Sequence, residues 1–417
     1  MTQPVDHPQG FSEVLKLVEP LAKRFSSAGA RLYLVGGVVR DVLMGRQKQT
    51  PDFDFTTDAL PEEVRSLVAD VADAVWLQGE RFGTIGVRLG QWDLEITTHR
   101  AESYVDDSRK PVVRYSKDLA QDLARRDFTV NAMAVDVVDG GLYDPYGGQK
   151  DLDTLTLRTP LDPEESFADD PLRTLRAARF IAGYGFTPVS GLLTAAKTLS
   201  SRLAIVSVER VRDELFRLLM VENPQPGFNF LSEATLLAQF WPELSVLPIE
   251  EQQETLRRLS LVPHEPSLRL AAVGPVVPLK RQQVWRLSTQ QIRQITVVQQ
   301  AVETIEKHQS AVWSDDEIRH LAAQAGPYLA DAVRIVDALK VDVSLFEQSV
   351  QRLKQAGELD DLGPVLDGQT VMSVLNLEPG PQVGEALEWL TTLRLDEGRL
   401  TPDEVEARLQ AWWDNRT

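Results

Sequence analysis

The 417-residue sequence contains no cysteine. That excludes a disulfide framework, a thiolate nucleophile and any cysteine-based zinc site. Histidine is scarce too: His7, His99, His264, His308 and His320 are the whole set. No stretch approaches the ~18 consecutive apolar residues that a membrane-spanning helix needs, so no membrane association is expected. Met1-Thr2-Gln3-Pro4 offers neither a basic segment nor an apolar one, so no secretory signal is expected and a cytoplasmic protein is the default. An excess of positive charge is also missing. Forty-four Lys and Arg face 62 Asp and Glu, a formal net charge of −18, which argues against a uniformly basic nucleic-acid-binding surface. The arginines nevertheless gather between Arg125 and Arg217, so a local basic groove on an acidic body stays compatible with a polyanionic substrate.

What is present starts at Leu34-Val35-Gly36-Gly37-Val38-Val39-Arg40-Asp41, followed by Asp52-Phe53-Asp54. The first run reads as a strand entering two glycines and then a helix. Glycines let backbone N–H groups approach an anion closely, and a helix start favours phosphate. The second run reads as a strand, on which residues i and i+2 face the same way, so Asp52 and Asp54 can hold a pair of divalent cations together. Metal pairs of this kind sit roughly 3.5–4 Å apart and stabilise the attacking and leaving oxygens of a phosphoryl transfer. A Gly-Gly turn alone is usually only a tight turn, and Asp-x-Asp alone is usually surface. Together, within twenty residues, they form the pattern of a nucleotidyl-transfer site. The turn lacks the Gly-Lys-Ser/Thr of a Walker loop and the third glycine of a dinucleotide fingerprint.

Apolar periodicity divides the chain. Leu32–Val35, Phe53–Thr56, Gly83–Arg88, Trp92–Thr97 and Ala132–Val137 read as strands, and Pro61–Val75 as a helix opened by proline. Beyond about Pro163 the strand signal nearly vanishes. Helices are expected over Pro171–Gly183, Val208–Val221, Gln282–Ile305, Asp315–Leu339 and Val383–Leu395, with proline-rich breaks between them. The fold class is therefore α+β: a head with a small mixed sheet and helices, then an all-helical remainder. Four domains are expected, at 1–155, 156–222, 223–330 and 331–417.

Three further constellations can carry chemistry. In Arg125-Arg126-Asp127-Phe128-Thr129-Val130-Asn131, arginine forks suit a triphosphate and Asp127 can accept from a ribose hydroxyl, with Asn131 four residues on; alternatively the run is a charged loop with an ordinary cap. In Asp169-Asp170-Pro171-Leu172-Arg173-Thr174-Leu175-Arg176-Ala177-Ala178-Arg179, Asp170 and Arg173 share a helix face and could offer an acceptor and a donor fork to a base edge. Arg176 and Arg179 extend that basic edge. The plain alternative is an N-cap with intrahelical ion pairs. Glu95, in an otherwise apolar strand, is either a third acidic group near the metals or a solvent-facing residue. The polar run Arg100 to Pro111 reads as a mobile loop of the kind that closes over substrates, or as inert surface. Asp144-Pro145-Tyr146-Gly147-Gly148 reads as a turn leaving the sheet.

These motifs, in their order and spacing, closely resemble class II tRNA nucleotidyltransferases, the CCA-adding enzymes of the bacterial poly(A) polymerase family. The match comprises Gly36 to Asp41 with Asp52 and Asp54, Gly79-Glu80-Arg81-Phe82-Gly83-Thr84, Arg125-Arg126-Asp127, Asp144 to Gly148, and Asp170-Pro171-Leu172-Arg173. It covers the first 220 residues, and a weaker similarity to the longer bacterial subtype continues to the end. The resemblance implies a head, neck, body and tail; Mg2+ ions at Asp52 and Asp54; phosphates at Gly36, Gly37 and Arg40; and a ribose at Asp127 beside Arg126. Read from its own strand, Glu95 is carried beside Asp52 and Asp54 as a candidate catalytic carboxylate. Asp170 and Arg173 would act as a protein template for CTP and ATP, and C, C and A would be added to a tRNA 3′ end. No obligatory protein partner is evident. Two departures stand out. Asp169 occupies a position where many members carry Glu. The longer subtype also usually has an HD phosphohydrolase domain, but none of the five histidines here is followed by Asp, so a degenerate remnant without that activity is expected around Pro263–Pro278. Within the enzyme class the rivals are CC-adding, A-adding and poly(A)-forming enzymes. The Gly79–Val87 run and the Arg100–Pro111 segment resemble those of the full CCA-adding form. Outside it, a non-catalytic RNA-binding protein on an inactivated polymerase fold would be expected to have lost Asp52, Asp54 or Arg126-Asp127, and all are retained. A small-molecule nucleotidyltransferase would need neither Asp170 and Arg173 nor a long helical tail.

Overall fold

The computed structural model describes residues 9–46, 53–103, 112–308 and 312–416. They form two compact units. The first comprises the described residues up to Leu218 together with Pro226–Ser245, and the second Leu219–Gln225 with the chain from Val246 onward.

The first unit is built on strands β1 (Leu32–Val35), β2 (Phe53–Thr57), β3 (Ala74–Trp76), β4 (Thr84–Leu89), β5 (Trp92–Thr98), β6 (Arg100–Ser103), β7 (Val112–Tyr115), β8 (Ala134–Asp136) and β9 (Leu142–Tyr143). Among the described residues, seven of these make one sheet in the order β3-β4-β5-β2-β1-β8-β9, and β6 with β7 forms a separate ribbon. β2 and β5 run parallel while the other pairings in the sheet are antiparallel. The mixed sheet and helical remainder are those expected.

Cross-strand register sorts the side chains onto two faces, because partners opposite one another project the same way. Leu34, Phe55, Ile96 and Ile85 form one row. All four are buried, and helix Pro61–Val68 packs over this part of the sheet with Val64 and Val68 inside. The opposite face carries the row Val35, Asp54, Glu95, Gly86. Helix Leu119–Ala124 packs on its β1/β8 part, where Tyr33, Val35, Leu119, Leu123, Ala132 and Ala134 make a small core. Asp54 is half-buried and Glu95 exposed.

The helix expected over Pro61–Val75 stops at Val68, and Ala74–Trp76 joins the sheet as β3. The segment read as a polar loop from Arg100 begins as a strand, because Arg100–Ser103 pairs with Val112–Tyr115; residues 104–111 lie outside the described ones. After the sheet, helix Pro163–Asp169 leads through Pro171 into helix Leu172–Tyr184, which ends at Gly185 in the left-handed region.

The second unit is helical. Two expected helices are each broken in two. Arg286, at φ 53°, separates Leu279–Val284 from Thr289–Lys307, and Ser288 with Gln291 makes a capping box at the second start. Gly326-Pro327 divides the other into Asp315–Ala325 and Leu329–Ala338, since proline cannot continue the hydrogen-bonded ladder. Arg269 is wholly buried and donates to the carbonyls of Leu219, Val221, Glu222 and Val262, so it satisfies buried backbone acceptors within this unit. Burial lowers its pKa to about 10. The C-terminal helices Gly368–Leu375, Pro381–Glu397 and Pro402–Asp414 share their own core around Val371, Leu390, Val405 and Leu409.

Candidate active site

The site grows from the end of β1. Gly36 has φ 77°, the left-handed region that glycine enters without strain, and helix Gly37–Leu43 starts from it. The turn sits against two side chains of the site: a Cβ on Gly36 would lie 3.4 Å from Asp54 Oδ2 and 3.5 Å from Arg126 Nη1, in ordinary contact with both. The tertiary fold therefore brings the glycine turn, the Asp54 carboxylate and the Arg126 guanidinium to one point. Asp54 and Glu95 are direct partners on the parallel strands β2 and β5, about 4.8 Å apart along the hydrogen-bonding direction. Two hard-oxygen ligands side by side on rigid strands are the donor set that Mg2+ takes, together with water and phosphate oxygens. Asp52 lies outside the described residues.

Arg126 is held from beneath. Asp122 is buried and accepts from Arg126 Nη2 at 3.2 Å, Arg125 Nε at 3.5 Å and Thr56 Oγ1 at 3.3 Å. Burial pushes the Asp122 pKa up, but the two guanidiniums outweigh it and the net shift is downward. His99 is buried against Thr56, with Nδ1 2.8 Å from its hydroxyl. Burial lowers the His99 pKa, which keeps the ring neutral at pH 7. Among the described residues, the buried Arg126 Nε has no hydrogen-bond partner, which leaves a donor for an incoming acceptor.

Asp127 is buried as well. Its Oδ1 accepts from the Phe128 N–H and from Asn131 Nδ2, and its Oδ2 accepts Arg176 Nε at 2.8 Å and Nη2 at 2.5 Å. Burial raises its pKa, but the Arg176 charge and the hydrogen bonds from Asn131 and Arg176 bring it down to about 2. Those four bonds use the four acceptor positions of a carboxylate, so a ribose hydroxyl could reach Asp127 only if one donor yields.

Arg40 is buried and fully engaged. It donates to Asp41, Asn131 Oδ1 and Tyr184 Oη, and its guanidinium lies 4.5 Å from the Tyr184 ring centroid. It ties the glycine turn to helix Leu172–Tyr184 instead of opening its fork outward. Gly37 lies against this side chain, 3.4 Å from Arg40 Nη2 to where its Cβ would be.

Helix Leu172–Tyr184 presents the remaining expected residues. Asp170 caps its start through the Leu172 N–H and pairs with Arg210 at 2.8 Å. Arg173 is buried, donating to Ser166 Oγ at 2.8 Å and to the Arg125 carbonyl. Arg176 and Arg179 both reach Glu214, at 3.4 Å and 2.8 Å. Sequence reading missed Asp122, Glu214, Arg210 and Tyr184. Only Asp122 left a local signal, as it lies three and four residues before Arg125 and Arg126 on the same helical turn.

Residues 32–158 match the family model described as "Poly A polymerase head domain", and residues 185–247 the one described as "Probable RNA and SrmB- binding site of polymerase A". The chain is 29% identical over 406 residues to a CCA-adding enzyme of Staphylococcus aureus (strain MRSA252), covering 95% of this chain and 96% of that one. Its fold is similar to the crystal structure of the Bacillus stearothermophilus CCA-adding enzyme in complex with CTP, with TM-score 0.74, 25% identity and 98% of each chain covered. It is also similar in fold to the Thermotoga maritima CCA-adding enzyme complexed with tRNA, with TM-score 0.66, 20% identity, and 99% and 97% covered.

Proposed function

We propose that this chain is a nucleotidyltransferase of the kind with the poly(A) polymerase head, and that it adds C, C and A in turn to the 3′ end of tRNA from CTP and ATP. One observation carries the reading most: Asp54, Gly36 and Arg126 meet at the edge of the sheet face where Glu95 lies beside Asp54.

In this reading the tRNA 3′-hydroxyl attacks the α-phosphorus in line, forming the new P–O bond as the bond to pyrophosphate breaks. Asp52 and Asp54 would hold Mg2+, which supplies positive charge to the triphosphate oxygens and the attacking oxygen. Glu95 adds a carboxylate to the same face. The backbone at Gly36 and Gly37 receives phosphate oxygens, and Arg126 contributes its spare Nε donor there. Arg40 serves by fixing the turn against the neck helix. Asp127, ionised throughout the working pH range, offers charge for ribose contact. Asp170 and Arg173 stand three residues apart at a helix start, each held by partners, as a base-reading pair needs if side chains are to replace a template strand. The cytoplasm is the proposed compartment, and the four-part division into head, neck, body and tail is the proposed organisation of the chain.

Incubation with tRNAs ending before the CCA, after one C and after both Cs, with CTP and ATP separately and together under Mg2+, tests this. Two C residues followed by one A, with growth then stopping, is the expected product. Addition of A alone to the CC-ended tRNA would instead assign an A-adding enzyme, a growing A ladder a poly(A) polymerase, and no incorporation would overturn the enzymatic reading.

A further inference from the structure

Glu214 has no part in the site as read from the sequence, yet it is almost wholly buried, at 4% exposure. It lies in helix Val208–Leu219 and gathers three guanidiniums: Arg179 at 2.8 Å, Arg217 at 3.1 Å and Arg176 at 3.4 Å. Arg176 is thereby shared between two carboxylates. Its Nε and Nη2 fill the acceptor positions of Asp127 Oδ2, while its Nη1 turns to Glu214 Oε1. The bond to Glu214 is the long one, so the arginine as seen leans towards Asp127.

We propose that Glu214 is a positioning residue for nucleotide selection: it is the second acceptor that lets Arg176 give up a bond to Asp127 Oδ2, freeing that oxygen for the ribose hydroxyl of the incoming nucleotide. The charges fit this role. Moving Arg176 towards Glu214 leaves it paired, so Asp127 is opened without stranding a buried cation, which would otherwise be costly. Arg179 and Arg217 keep Glu214 in place during the exchange. The inference rests on the nucleotide-binding reading above and deepens it, naming the ribose as the part of the substrate that Glu214 governs.

The test compares wild type, Glu214→Gln and Glu214→Asp in two assays: calorimetric binding of CTP and dCTP without tRNA, and incorporation kinetics with both nucleotides. Glu214→Gln keeps the shape but removes the charge that competes for Arg176. The expectation is a loss of CTP affinity of about tenfold, the scale of one charge-assisted hydrogen bond, with dCTP affinity little changed. The CTP-to-dCTP preference therefore falls, KM for CTP rises more than kcat falls, and KM for tRNA is unaffected. Glu214→Asp, which retains the charge, restores part of the preference. Unchanged preference in a folded Glu214→Gln protein, whatever its melting temperature, would overturn the proposal and leave Glu214 a structural ion-pair partner. If Glu214→Gln does not fold, the Asp variant decides by the same ratio. Wild type that binds CTP but extends no tRNA would fail the tRNA reading while leaving the ribose test intact. Wild type that binds no CTP would overturn both.

Discussion

At the scale of single residues, the head is organised by carboxylates that hold arginines. Asp54 Oδ2 lies beside the glycine turn, where in the proposed reaction a substrate phosphate and a cation come together. Asp54→Asn keeps the volume and removes the charge, so incorporation should fall by roughly a thousandfold or more, the scale on which electrostatic stabilisation of a transition state operates. The melting temperature should stay within a few degrees; incorporation at the wild-type rate would remove Asp54 from the site. Asp127 yields a pH prediction. Its pKa of about 2 in the folded chain lies below the ~3.9 of an unfolded aspartate. The folded state thus binds that proton less readily, and the stabilisation is complete above about pH 4 and lost as pH falls towards 2. It amounts to the order of 2 kcal/mol. Urea titrations between pH 5 and 2.5 should show a steeper acid loss for wild type than for Asp127→Asn; identical slopes would mean that Asp127 is not held as described.

At the scale of elements, the decisive contacts join pieces that are distant in sequence. The short turn Thr129–Asn131 carries Asn131 between Arg40 and Asp127, and helix Gly148–Asp153 is packed against it so closely that a Cβ on Gly148 would come within 2.2 Å of the Thr129 carbonyl oxygen. Gly148→Ala must therefore push the turn away. Overpacking of this kind costs typically 1–3 kcal/mol, and here it should also shift Asn131. The variant should melt several degrees lower and bind CTP more weakly. Normal stability together with normal CTP binding would contradict the contact. Arg40 makes a comparable link, from the glycine turn to Tyr184 at the far end of helix Leu172–Tyr184. Its stacking on Phe180 and Tyr184 explains why an arginine expected at phosphate is buried instead.

At the scale of the whole molecule, a net charge of −18 and the proposed polyanionic substrate are reconciled by where the arginines lie. Arg125, Arg126, Arg173, Arg176 and Arg179 all belong to the first unit, where they are concentrated around Asp122, Asp127 and Glu214. Long-range repulsion between tRNA and an acidic body is screened at physiological salt, where the Debye length is ~8 Å, so local contacts can dominate. Affinity for tRNA should then fall steeply and linearly on a log–log plot against salt, with a slope that counts the phosphates engaged. A flat dependence in filter-binding or anisotropy titrations would argue against an RNA substrate. Among the described residues no helix is long and apolar enough to cross a membrane.

The sequence by itself determined the mixed sheet followed by helices, and it brought Gly36, Gly37, Asp54, Asp127, Asp170 and Arg173 forward as candidates. Strand alternation, helix capping and the glycine turn are local rules, readable over a few residues. Broken helices at Arg286 and Gly326-Pro327, and the strands at Ala74–Trp76 and Arg100–Ser103, were less legible because their signals are short or contradicted by neighbours. Only the tertiary structure decided which charged groups are spent on one another. Arg40 with Tyr184 is a pairing across 144 positions, Arg176 with Asp127 one across 49, and Arg179 with Glu214 one across 35. No periodicity encodes partners at such separations. They follow from how helix Leu172–Tyr184 packs within the first unit, because a guanidinium taken out of water must find whichever acceptor the fold has buried beside it.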